Sequence, residues 1–211
     1  MQVIGMLDSP YVRRVVISLQ LMGLPFQHRS VSVFRGFEEF RRINPVVKAP
    51  SLVCDDGEVL MDSTLILEYA EGLPGRRRSL VPAEAAERQR CLRLTGLALA
   101  ACEKAVQIVY EHHVRPADKL HAPWLERVTA QMHTAFAALE AEAQSRPFAA
   151  GSATMDQAGL STAVTWFFMR DLYPELLDPA VYPALSAFSA AAEHLPEFRA
   201  APHGDGTYIP A

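Results

Sequence analysis

Every strand signal in this 211-residue chain lies in its first third, and beyond Pro82 only helical periodicity remains. Short segments at 3–7, 27–31, 51–54 and 58–61 read as strands. The last two flank Asp55-Asp56-Gly57, a turn signal. Helical segments are expected at 10–22, closed by Gly23, at 36–43, and at 63–71 with Leu65, Ile66 and Tyr69 toward the sheet. The order β-α-β-α-β-β-α fits a four-stranded mixed sheet. Gly72, Pro74, Gly75, Arg76, Arg77, Arg78 and Pro82 mark an interdomain linker, its arginines solvated.

After the linker, 84–113 reads as one long helix carrying Leu94, Leu97, Ala98, Ala101, Ala105 and Ile108 on one face. A second helix, 124–144, turns Val128, Met132, Ala135, Phe136 and Leu139 inward. Residues 156–169 are apolar nearly all round, which marks a buried central helix. Another helix is expected at 183–194, then a polar tail at 200–211. The chain therefore divides into an α/β domain at 1–74, a linker at 75–83 and an all-α domain at 84–211.

Composition excludes several classes. A net charge of −4 leaves no basic footprint for nucleic acid. No run approaches 18 apolar residues, so no membrane span is expected, and the start lacks the basic flank of a signal peptide. Cys54, Cys91 and Cys102 show no metal-ligand or Cys-x-x-Cys spacing and read as small buried hydrophobes. A reduced, cytoplasmic protein without a metal is the economical expectation.

Three short motifs carry the chemistry: Ser9-Pro10-Tyr11-Val12, Val47-Lys48-Ala49-Pro50 and Asp62-Ser63. Pro10 suits the first helical position, where its missing N–H costs nothing. Ser9 then takes the N-cap, beside free backbone N–H groups and the positive end of the helix dipole. That setting favours an anion, a thiolate included. Asp62 and Ser63 open a later helix in the same way, and capping alone could account for them.

Together the motifs resemble those of the glutathione S-transferases, which join a thioredoxin-like domain to a helical one. Ser9-Pro10-Tyr11-Val12 looks like the glutaredoxin Cys-Pro-Tyr-Cys with both cysteines gone, and Asn44-Pro45 leads to Lys48-Ala49-Pro50 as in that family. The resemblance implies a thioredoxin-like N-terminal domain and an all-helical C-terminal one. It also implies glutathione as co-substrate, a hydrophobic electrophile as its acceptor, and a homodimer. Ser9 would donate a hydrogen bond to the glutathione sulfur. Lowering a thiol from ~8.5 by about two units needs roughly 2.7 kcal/mol of thiolate stabilisation. One O–H···S⁻ bond plus a helix N-terminus is of that size.

The same resemblance makes the bond before Pro50 cis, with the Ala49 N–H and C=O pairing to the cysteinyl backbone. Lys48 would contact a glutathione carboxylate, Ser63 the γ-glutamyl carboxylate and Asp62 the α-amino group. Arg13 and Arg14 read as a solvated helix face. Tyr110, His112 and His113 lie late in the helix that lines the family's electrophile pocket. Asp156 matches the family's capping aspartate, but Ala153 stands where Ser or Thr completes the box, leaving Thr154 as a substitute. Two other outcomes of the same fold are a glutathione-dependent isomerase or thiol-exchange enzyme and a non-catalytic regulatory module. Asp8 and Pro10 do not match the double-serine signature of maleylacetoacetate isomerases.

Overall fold

Strand β1 (Gln2–Ile4) lies inside the sheet, parallel to β2 (Gln27–Arg29) and antiparallel to β3 (Ser51–Val53), which pairs antiparallel with β4 (Val59–Met61). The order β2-β1-β3-β4 forms the expected four-stranded mixed sheet, with strands shorter than the segments read from the sequence. β1 stops early because Gly5 turns out of extended geometry at φ 137°. This is a computed structural model describing residues 1–209; the last two tail positions lie outside the described residues. It divides into two compact units. One comprises Met1–Val81, Ala150–Met155 and Ala192 onward; the other comprises Pro82–Ala149 and Asp156–Ala191.

In the first unit, α1 (Pro10–Met22) ends at Gly23, whose φ of 71° lets its N–H reach the Gln20 and Leu19 carbonyls. A side chain at Gly23 would also collide with Arg77, its Cβ falling 2.6 Å from Arg77 Cγ. The short helix α2 (Phe37–Ile43) buries Phe40 against Ile4 and Val31. Helix α3 (Ser63–Gly72) buries Ser63, Ile66, Leu67 and Ala70, the spacing of one helical face. Leu65 and Tyr69 therefore point outward, at 64% and 38% exposure, contrary to the sequence expectation for them.

Of the linker arginines, Arg76 and Arg77 are exposed as expected, and the Arg77 backbone N–H bonds the Met22 carbonyl at 2.7 Å, whereas the Arg78 guanidinium is half-buried and donates to the Met155 carbonyl. The segment from Ala192 also packs here. Helix α8 (Pro196–Arg199) buries Phe198, and Ala201 is fully buried beyond it.

In the second unit, α4 (Ala85–His113) packs with α5 (Ala122–Ser145), α6 (Gln157–Leu172) and α7 (Pro183–Glu193). The Glu84 carboxylate caps α4, accepting from the Ala86 and Glu87 N–H groups. The shared core holds the expected α4 and α5 faces together with Trp166, whose ring meets Phe136 edge-on at 5.4 Å. Helix α6 is buried without a break from Gln157 to Trp166, the central position its composition predicts. Asp156 caps it by accepting from the Gly159 N–H at 2.8 Å. Thr154 does not complete a box; its hydroxyl turns to the Gly151 carbonyl.

Candidate functional site

Helix α1 touches all three motifs. Ser9 caps it in extended conformation, and its Oγ accepts from the Val12 N–H at 3.4 Å, the long end of hydrogen-bond range. Among the described residues Ser9 Oγ takes no other bond, so its proton is unspent. Gly5 lets the second motif approach. A Cβ there would lie 2.6 Å from Val12 Cγ2 and 3.0 Å from the Ala49 Cβ. The Ala49 loop and the first turn of α1 thus meet across a position where only glycine fits.

The loop before β3 is held from within. Asn44, 5% exposed, donates from Nδ2 to Ser51 Oγ at 2.8 Å, and Ser51 Oγ donates to the Lys48 carbonyl at 2.8 Å. Asn44 Oδ1 accepts from the Val46 N–H at 3.0 Å. Val47 sits at φ 54°, a conformation that costs a β-branched residue free energy and persists only where surrounding bonds impose it. The Ala49–Pro50 bond is cis. Among the described residues neither the Ala49 N–H nor its C=O takes a partner, and the Lys48 side chain is exposed. Asn44 and Ser51 are framework residues whose pairing sequence reading did not anticipate.

At the third motif, Asp62 is the N-cap of α3, with φ 74° and Oδ1 accepting from the Thr64 N–H at 2.9 Å. Ser63 is 3% exposed, and its Oγ accepts from Arg14 Nη1 at 2.8 Å. Arg13 and Arg14, expected on a solvated face, are 1% and 3% exposed. The overlooked signal is α1 itself: Val12, Val15, Val16, Ile17, Leu19, Leu21 and Met22 together surround the helix, leaving no wet face for two arginines.

Two family models match the chain, the glutathione S-transferase N-terminal domain over residues 3–78 and the C-terminal domain over residues 122–191. The chain belongs to the glutathione S-transferase family. A glutathione transferase family member from Pseudomonas fluorescens Pf-5, solved with bound S-(propanoic acid)-glutathione, is 27% identical with 100% of both chains covered and a TM-score of 0.78. A glutathione S-transferase from Methylobacterium radiotolerans, in complex with glutathione sulfonate, is 26% identical with a TM-score of 0.84, covering 94% of this chain and 92% of that one. The GST-like protein YibF of Escherichia coli K12 is 30% identical over 117 residues, 56% of this chain and 57% of that protein. The chain spans about half the length of the curated relatives it matches.

The remaining candidates in this glutathione S-transferase fold lie outside the three motifs in sequence. The His112 and His113 rings lie 5.5 and 6.0 Å from the ring of Tyr173 within the helical unit, and Tyr110 is 47% exposed. Burial raises the Cys54 and Cys91 thiols above their ordinary pKa, which keeps them protonated; all three cysteines are buried. Asp8, beside Ser9, is raised chiefly by desolvation of its carboxyl, although the residue as a whole is exposed and His203 pulls the other way. Among the described residues no group of three His, Cys, Asp or Glu side chains could hold a metal, and no helix is long and apolar enough to cross a membrane.

Proposed function

We propose that the protein is a glutathione transferase that activates the glutathione thiol at Ser9 and adds it to a small hydrophobic electrophile. The observation that carries this reading is Ala49. It presents an unpaired N–H and C=O beside a cis proline, against the first turn of α1 across Gly5. An extended peptide can dock there as one added strand.

With the cysteinyl backbone on Ala49, the glutathione sulfur lies toward Ser9, whose proton is unspent. The hydroxyl donates to the sulfur, the thiol proton leaves to solvent, and the thiolate attacks the electrophilic carbon to form a C–S bond, while the electrophile's π bond breaks and its electron pair takes a proton from solvent. The α1 N-terminus stabilises the same charge. Lys48 meets a glutathione carboxylate, Ser63 receives the γ-glutamyl carboxylate at the start of α3, and Asp62 faces the α-amino group. The strained backbone at Val47 and Asp62 flanks this constellation, where such strain tends to collect.

The protein works as a homodimer in the cytoplasm on this reading. Met61 on β4 and Leu65 and Tyr69, one turn apart on α3, are exposed apolar residues, and on α4 the exposed Leu92 lies one turn from Gly96, which meets nothing within 4 Å of its Cβ position. The test is equilibrium binding of glutathione, then turnover with a panel of hydrophobic electrophiles. Binding with conjugation is the expected result. No binding at millimolar glutathione overturns the reading, and binding without conjugation of any electrophile moves the site to isomerisation or regulation.

A further inference from the structure

Arg14 Nη1 donates to Ser63 Oγ at 2.8 Å and to Thr64 Oγ1 at 3.2 Å, joining the middle of α1 to the first two residues of α3. A hydroxyl has one proton to give and two lone pairs, whereas a guanidinium only donates. The bond from Arg14 therefore occupies a lone pair of Ser63 Oγ and leaves its proton to be given elsewhere. Ser63 is 3% exposed, and among the described residues its Oγ takes no other bond. A buried hydroxyl normally spends its proton on a partner. Here it is reserved at a helix N-terminus, beside a permanently charged, 3% exposed guanidinium. The Asp62 carboxylate does not take it: its Oδ1 accepts from the Thr64 N–H, and no bond runs from Ser63 Oγ to either of its oxygens.

We infer that Arg14 is a positioning residue for the γ-glutamyl α-carboxylate of glutathione: by donating to Ser63 Oγ and Thr64 Oγ1 it turns their protons toward that anion. The inference rests on the glutathione reading above. Arg14 acts through the two hydroxyls, so its influence should follow the ligand's negative charge and not the ligand's size.

The experiment compares glutathione with an analogue whose γ-glutamyl α-carboxylate is amidated, by titration calorimetry on the full chain. Arg14→Gln should weaken glutathione about 10- to 30-fold, the scale of one charge-assisted contact, and change binding of the amide less than threefold. Arg14→Lys should recover part of the loss, because it returns the charge and one donor. Ser63→Ala should reduce the preference for glutathione over its amide, and adding Arg14→Gln to it should cost less than Arg14→Gln alone. Equal weakening of both ligands, or none, would overturn the inference. If Arg14→Gln does not fold, the Ser63→Ala comparison decides: a preference undiminished in that variant is equally fatal. Wild-type protein that binds glutathione without these differences removes only the role of Arg14, whereas wild-type protein that binds no glutathione removes the underlying reading as well.

Discussion

Arg13 and Glu193, 180 positions apart in the chain, form a bidentate ion pair with Nη1–Oε1 at 2.7 Å and Nη2–Oε2 at 2.6 Å. Arg13 also donates from Nε to the Ala201 carbonyl at 2.8 Å, and its guanidinium carbon lies 5.5 Å from the Phe198 ring centre. The arginine side chain is 1% exposed and the glutamate 21%, so the pair is largely withdrawn from water.

Removing one partner leaves a buried charge without compensation, which costs more than the pair contributes. Glu193→Gln is expected to lower stability by about 2–4 kcal/mol, below the full buried-pair penalty because the glutamate keeps some water. Urea midpoints of the two proteins measure it. An unchanged midpoint would mean that Arg13 is held by contacts other than the Glu193 pair, its Ala201 bond and ring contact among them.

His28 ties the last described residues to the sheet. Its Nε2 lies 2.7 Å from the Gly5 carbonyl, and its Nδ1 accepts from the Tyr208 N–H at 2.9 Å. Only the neutral ring protonated on Nε2 satisfies both. Burial lowers its pKa below the ordinary value of about 6.5. As pH falls through that value the unfolded chain takes up the proton first, so stability declines below about pH 6.5 and is constant with respect to this group above it. His28→Gln should flatten the decline without abolishing it, because burial lowers His133 too. A His28 ring titrating at or above 6.5 by NMR would contradict this.

What was legible in the sequence is what neighbouring residues decide. Ser9-Pro10, the Asp55–Gly57 turn and the Asp156 cap involve contacts within a few positions, and each stands where the residues predict. The buried α6 follows from its pattern of apolar residues. Arg14 with Ser63, Arg13 with Glu193 and Arg78 with Met155 join residues 49, 180 and 77 positions apart, and no local pattern encodes such partners. Leu65 and Tyr69 differ from the expectation because α3 carries apolar residues on two faces, and packing buries the one with Ile66, Leu67 and Ala70.

The exposure of Met61, Leu65 and Tyr69 supports a testable statement about assembly. Light scattering at micromolar concentration should give the mass of two chains, and Leu65→Glu should give that of one. Leu65 is 64% exposed within the chain, so the variant should keep its helical content. A single-chain mass for the unaltered protein would remove the dimer.

The Asp156 cap acts alone, without a reciprocal partner at Ala153 or Thr154. Asp156→Ala should therefore cost about 1 kcal/mol, and Asp156→Asn much less, because the amide oxygen can still accept from Gly159. A loss several times larger would mean that the aspartate supports more of the α6 core than its cap.

The central claim is that the Ser9 hydroxyl stabilises the thiolate of bound glutathione. Thiolate absorbance of the bound complex, titrated against pH for the unaltered protein and Ser9→Ala, tests it most directly. The account predicts a bound thiol pKa that rises in the variant by about one to two units, the 1.4–2.8 kcal/mol of one charge-assisted bond, with a roughly 10- to 100-fold loss of rate at neutral pH. Glutathione affinity should change little, and higher pH should restore part of the rate. An unchanged titration would contradict the claim and return Ser9 to the role of a helix cap.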